Sequence, residues 1–297
     1  LLFWNQLRFI WNPETVRELL AFGLPFATSA LAVMVINLSD RFFIKFFLGL
    51  DITGIYDIAY KLGLPMLLLV RAFRSAWAPA LLSIPDAGEA QAMCARITTY
   101  FSMIAVFIFL CISSFSKELI LIISGNQAPI YISAQPIIPL ITLAYLFYGL
   151  YVILTAGIYA KNRTKMLPAI VGSGAALNCG INLLFIPKFG LVVAAWSTLA
   201  SYTLMTFLLY LNVRRFYPVT YEYRRLTKII LAGSVVFISI IPYLKVNSPA
   251  SVVTRGIFLL GYPLILWGWN FFDPKEWKNL TEIFHFSRTR SKVNYHL

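Results

Sequence analysis

Charge is scarce in this sequence: Asp, Glu, Lys and Arg together make up 12% of its 297 residues, against about a quarter in a soluble domain. Histidine is nearly missing, with only His285 and His296, both close to the C-terminal end. The three cysteines, Cys94, Cys111 and Cys179, are scattered and odd in number, which excludes a disulfide framework and a cysteine-based metal site. No G-x-S-x-G, H-E-x-x-H, P-loop or C-x2-C pattern occurs, so hydrolase, zinc-protease and NTPase chemistry has no motif to rest on. No connecting segment is long enough to fold as a domain of its own. The chain is therefore read as not an enzyme, with no catalytic residue, cofactor or metal expected.

What is plentiful is apolar surface. Apolar residues are 59% of the chain and the mean hydropathy is +0.75, more than a soluble protein of this length can bury, so lipid must be the solvent for most of it. Twenty-four Phe, sixteen Tyr and seven Trp fit this medium, since aromatic side chains favour the membrane–water boundary. A net charge of +13 raises nucleic acid as a partner. The basic residues lie between apolar runs, which points to an anionic lipid leaflet and not to nucleic acid.

Eight runs are long enough, or nearly so, to cross about 30 Å of hydrocarbon at 1.5 Å per residue: residues 19–38, 52–82, 98–113, 137–160, 166–186, 191–211, 229–244 and 252–269. The second is too long for one straight span, and Pro65 and Pro79 offer places to kink or end it. Residues 117–124 predict a short extra helix near the surface. Asn12-Pro13-Glu14 predicts a helix start, with an N-cap, a proline at the first helical position and an acid in the first turn. Asp273-Pro274-Lys275-Glu276 repeats that grammar and predicts an amphipathic surface helix.

With eight spans and a cytoplasmic N-terminus, both ends lie inside. The inner segments then carry sixteen of the 25 Lys and Arg, among them Arg17, Arg96, Lys161, Arg163, Lys165 and Arg224. The outer ones carry six: Arg41, Lys45, Lys117, Lys188, Lys245 and Arg255. This bias is the one that retains basic loops in the cytoplasm.

Charges inside spans cost about 2.5–3.5 kcal/mol each on insertion scales and ask for a reason. The second run holds Asp57, Lys61, Arg71 and Arg74. Asp57 and Lys61 stand at i, i+4 with the acid first, the spacing of a helical ion pair. They are either a self-neutralised structural pair or part of a basic wall for an anionic substrate. Arg71 and Arg74, at i, i+3, either snorkel to headgroups or clamp phosphate oxygens in a bidentate way. Asp40-Arg41 reads as a solvated interfacial pair or a gate. Asn178 and Asn182, one turn apart, favour hydrogen bonding between helices over substrate contact. Gly23-Leu24-Pro25 and Gly63-Leu64-Pro65 break the first two spans at comparable points, as suits helices that bend around a cavity.

Three stretches carry a family resemblance. The first is Asn37-Leu38-Ser39-Asp40-Arg41-Phe42-Phe43, with Gly49, Gly54-Ile55-Tyr56 and Ala59-Tyr60-Lys61 after it. The second is Ala156-Gly157-Ile158-Tyr159-Ala160-Lys161, with Thr164-Lys165, Asn178 and Asn182. The third is Pro187-Lys188-Phe189-Gly190-Leu191, running into Ala194-Ala195-Trp196-Ser197-Thr198 and Ser201-Tyr202, with Val193 where a glycine is usual. In order and spacing they resemble the polysaccharide-export branch of the multidrug/oligosaccharidyl-lipid/polysaccharide flippase superfamily, over roughly residues 20–210. The resemblance implies an all-α, multi-pass transmembrane bundle of eight spans, like the second lobe of a MATE-like flippase plus a last helix pair. The divisions expected are a six-helix lobe at residues 1–212, the pair at 213–272, and a cytoplasmic amphipathic helix and basic tail at 273–297. Such proteins alternate access around a cationic cavity between two lobes.

The function implied is translocation of a lipid-linked oligosaccharide, on an undecaprenyl pyrophosphate carrier, across the bacterial inner membrane for surface polysaccharide biosynthesis. The partners are then membrane lipid, the lipid-linked oligosaccharide and a first lobe, on the same or a separate chain, since the sequence opens on Leu1 and covers only one lobe. Asp40, Arg41 and Lys61 fall in the matching motifs, and Arg71 and Arg74 join them as substrate-binding candidates on the phosphate argument. Three rival functions remain open. A cation-coupled multidrug antiporter of the same superfamily needs a buried coupling acid, for which Asp57 is the candidate. A polymerase or ligase of glycan assembly needs a large external loop. A non-transporting remnant needs neither.

Overall fold

The computed structural model describes residues 12–82, 84–244, 246 and 248–272. Among these the chain is helical, without strands. The helices are α1 (Pro13–Leu48), α2 (Leu50–Leu82), α3 (Ala87–Ser114), α4 (Ser116–Ser124), α5 (Ala128–Tyr131), α6 (Ile137–Ala160), α7 (Leu167–Phe189), α8 (Val192–Val213), α9 (Tyr223–Ile240) and α10 (Pro249–Gly268). All but α4 and α5 are long and apolar enough to cross a membrane, eight in number, and correspond to the eight apolar runs. This is a multi-pass membrane protein.

The helices outrun the apolar stretches that announce them. At 36 residues, α1 is about 54 Å long at 1.5 Å per residue and must project beyond a hydrocarbon core of about 30 Å. Its start obeys the local grammar: the Asn12 side chain accepts hydrogen bonds from the amides of Glu14 and Thr15 at 3.0 and 3.5 Å. The short surface helix expected at 117–124 is α4. The surface helix expected after Asp273 lies outside the described residues.

Two turns reverse the chain almost without loops. Gly49 alone separates α1 from α2 with φ 92°, and Gly190 ends α7 with φ 74°. A side chain at either place would face the steric cost of the left-handed region. Each turn brings two long helices alongside one another and so aligns the polar residues near their shared end.

The chain forms two units. The first comprises residues 1–98 and 116–220. Within it α1 lies along α7, α6 along α8, α7 along α8 and α2 along α6. Small buried residues, Gly174 and Ala175 on α7 and Ala194, Ala195, Ser197 and Ser201 on α8, permit the close backbone approach by which membrane helices associate. Leu19, Leu31, Met34, Phe42 and Phe46 of α1 stay exposed, as expected where the solvent is lipid.

The second unit comprises Thr99–Phe115 and residues 221 onward. It packs α9 and α10 on a core of Leu110, Ile229, Val236, Ile240, Leu259, Tyr262 and Leu266. By packing, then, the last pair begins at 221 and takes the later part of α3 with it. Arg255 needs correction. The charge count sets it with the outer segments although the eighth apolar run, 252–269, contains it, and Pro249 starts α10 behind the N-cap Ser248, so Arg255 lies inside the span. It is 2% exposed and donates to the backbone carbonyls of Ser114 and Ser251.

Candidate translocation site

Two polar features stand within the first unit, at opposite ends of its helices. One gathers around Asp40 of α1, which is 0% exposed. Oδ2 accepts hydrogen bonds from Tyr56 Oη at 2.7 Å, Tyr60 Oη at 3.1 Å and Thr198 Oγ1 at 2.5 Å. Oδ1 accepts from Asn178 Nδ2 at 3.0 Å and Asn182 Nδ2 at 2.7 Å. Five donors from α2, α7 and α8 thus saturate the roughly four lone-pair sites of one carboxylate. Around them Ser39 donates to Asn178 Oδ1, and Ser197 Oγ to Asn182 Oδ1 at 2.6 Å. The amides of Asn178 and Asn182 do join helices, as their spacing predicted, and the joint they make is to Asp40.

This geometry corrects the reading of Asp40-Arg41 as a solvated pair or gate. Consecutive residues on a helix do not face each other, and the two side chains part. Arg41 Nε lies 2.6 Å from Asp57 Oδ1, with side-chain exposures of 32% and 40%, and its guanidinium sits 4.5 Å from the centre of the Tyr60 ring. The Asp57–Lys61 pair gives way for the same reason: the Gly49 turn carries Arg41 to Asp57 from α1. Lys61 is exposed and has no ion pair or hydrogen bond among the described residues. Asp57 is also a poor coupling acid, being part-exposed and paired. Among the described residues the buried acid of the lobe is Asp40.

The second feature lies at the other end, toward the 161–165 turn. A pocket of about 460 Å³ opens between Phe26, Ser29, Ala30 and Val33 of α1, Arg74 of α2, and Tyr148, Tyr151, Thr155 and Tyr159 of α6. Arg71 stands one helical turn from Arg74 on α2, though of the two only Arg74 lines the pocket. Lys61 does not join this pair. Lys61 and Arg74 stand thirteen positions apart on α2, about 20 Å along the axis, more than one phosphate group can bridge. The cationic and acidic residues singled out in the sequence therefore divide into Asp40, a separate Arg41–Asp57 pair, a solitary Lys61, and Arg71 with Arg74. The tyrosines of α6 escape the sequence reading. Their signal is a stripe at 148, 151 and 159 on a helix that also carries Tyr145 and Phe147. Among the described residues no three of His, Cys, Asp and Glu come together as metal ligands.

Comparison with known proteins bears on this arrangement. Residues 1–84 match the family described as "Polysaccharide biosynthesis protein". The structure resembles that of "Lipid II flippase MurJ, inward closed conformation" with a TM-score of 0.64 at 14% identity, over 88% of this chain and 56% of that one. The two share a fold. The helical, flippase-like fold expected from the motifs is thereby borne out, and residues 1–84 resemble a polysaccharide-biosynthesis family. No curated protein matches the sequence. The chain spans little more than half the length of the flippase it resembles.

Proposed function

We propose that this chain is one half of a transporter that flips a lipid-linked oligosaccharide, carried on undecaprenyl pyrophosphate, across the bacterial inner membrane. The observation that carries the proposal is that Arg74 lines a pocket, with Arg71 one helical turn away on α2, in a lobe whose fold is like that of a flippase. Two guanidinium groups one helical turn apart suit a diphosphate, because each presents a planar fork to phosphate oxygens. The lipid tail stays in the bilayer along the exposed apolar faces, and the glycan enters the cavity. Alternating exposure of such a cargo needs a wall on its other side, so the working unit includes a first lobe, on this or another chain. Both ends lie in the cytoplasm in this reading, on the distribution of Lys and Arg between loops.

The fused or co-expressed lobes test it in a cell lacking its own polysaccharide flippase. Arg71→Gln and Arg74→Gln are expected to reduce export while membrane abundance stays near normal, and Lys at either position to restore it only in part. Full export in the Arg71→Gln, Arg74→Gln double variant overturns the assignment of the diphosphate to this pair.

A further inference from the structure

The pocket beside Arg74 is unusual in what lines it. Along α6, Tyr148, Tyr151, Thr155 and Tyr159 follow at intervals of three, four and four residues, so one helical face is presented. Tyr159 and Phe26 stack with ring centres 5.5 Å apart and planes 12° from parallel. Tyr148 and Tyr151 stack at 6.1 Å and 17°. Opposite them α1 offers Ser29 and Ala30, side chains too small to fill the space. Neither Tyr151 nor Tyr159 spends its hydroxyl on another described residue. At about 460 Å³, the pocket lies in the range of roughly 300–1,000 Å³ typical of small-ligand sites.

We infer that this pocket is a carbohydrate subsite, which seats the sugar nearest the diphosphate against the tyrosines while Arg74 holds the phosphate. The inference rests on the proposed function and adds the part of the cargo that the lobe reads. The chemistry fits a pyranose. Its C–H-bearing face is weakly positive and apolar and settles on the negative face of an aromatic ring. Its hydroxyls need partners that the tyrosine and threonine oxygens can supply. A lipid chain would use the aromatic walls and leave those hydroxyls and Arg74 without a role. A bare phosphate would use Arg74 and leave the rings. Only a group with both apolar faces and hydroxyls, next to an anion, uses the whole lining. The pocket also lies toward the 161–165 turn, the end where the proposed topology places the cytoplasm and where a newly made glycan would load.

The test compares two probes on the assembled transporter in nanodiscs: undecaprenyl diphosphate without sugar, and the same lipid bearing one N-acetylhexosamine. Wild type should bind the sugar-bearing lipid several-fold more tightly. One aromatic stack corresponds to roughly 2- to 10-fold in affinity, and Tyr151→Ala or Tyr159→Ala should remove an increment of that size while leaving the sugar-free lipid unchanged. Tyr→Phe at either position should keep most of it, since the ring remains. Arg74→Gln should weaken both probes alike. Because Tyr151 is buried, Ala30→Phe serves as a second variant that fills the pocket from an exposed position on α1 and should also abolish the increment. Equal affinity for the two probes in wild type, or an increment untouched by Ala30→Phe, overturns the subsite while the flippase reading stands. Failure of either lipid to bind the assembled wild-type protein overturns that reading and this one together.

Discussion

Replacing Asp40 by alanine removes the acceptor at which five donors meet, and the structure allows the loss to be apportioned. Thr198 Oγ1 can turn wholly to the Ala194 carbonyl, 3.1 Å away, Asn178 Nδ2 to Ser197 Oγ at 3.1 Å, and Asn182 Nδ2 to Asn178 Oδ1 at 3.2 Å. Tyr56 and Tyr60, both buried, can turn among the described residues only to one another and to Thr198, neutral hydroxyls in place of a carboxylate. Hydrogen bonds to a charged group are worth about 1.5–3 kcal/mol each, and the hydroxyls recover part of that from one another, so Asp40→Ala should destabilise the lobe by about 2–3 kcal/mol. Asp40→Asn keeps one acceptor oxygen for the two asparagine amides and should cost less. Thermal unfolding in detergent and membrane abundance measure both. The decisive variant adds Tyr56→Phe and Tyr60→Phe to Asp40→Ala, removing the two buried hydroxyls that lose their carboxylate. It should be more stable than Asp40→Ala alone. Stability that falls further with each added Phe, or an Asp40→Ala protein within about 0.5 kcal/mol of wild type, the scatter of ordinary surface substitutions, would refute the reasoning.

Arg41→Gln should cost no more than about 1 kcal/mol, because its partner Asp57 is 40% exposed and such pairs are worth little; a loss comparable to Asp40→Ala would contradict the geometry. Lys61→Gln should leave abundance unchanged, whereas a structural Asp57–Lys61 pair would lower it, and quantitative membrane blots distinguish the two. Gly190→Val, at φ 74°, should cost about 1–2 kcal/mol in thermal unfolding, and an unchanged midpoint would mean the turn relaxes freely. Cysteine labelling from outside the cell should miss position 162 and reach position 188; strong external labelling at 162 would reverse the proposed topology.

The architecture was legible because lipid imposes length and apolarity on every span, and those are properties of contiguous sequence. The start of α1 at Asn12-Pro13-Glu14 and the short α4 were legible for the same local reason. The polar arrangement was not. Asp40 meets Asn178, Asn182 and Thr198, which lie 138, 142 and 158 positions along the chain, and no local spacing encodes such a meeting. The i, i+4 rule nominated Lys61 as the partner of Asp57, but it knows nothing of a one-residue turn that delivers Arg41 from the preceding helix. Arg255 stands near the start of the eighth apolar run, 252–269, and the charge count grouped it with the outer segment beside it, although Ser248 and Pro249 mark a helix start well before it. In α6 the aromatic stripe was lost among the many aromatic residues that any membrane protein carries.

Transport itself is measured most directly in liposomes. The chain reconstituted with a first lobe, in vesicles carrying an undecaprenyl-diphosphate oligosaccharide in one leaflet, should expose the glycan to an impermeant lectin on the opposite side faster than protein-free vesicles do. The Arg71→Gln, Arg74→Gln double variant should lose most of that rate, and residues 1–297 alone should show none. No acceleration by the paired lobes, or an undiminished rate in the double variant, would contradict the account.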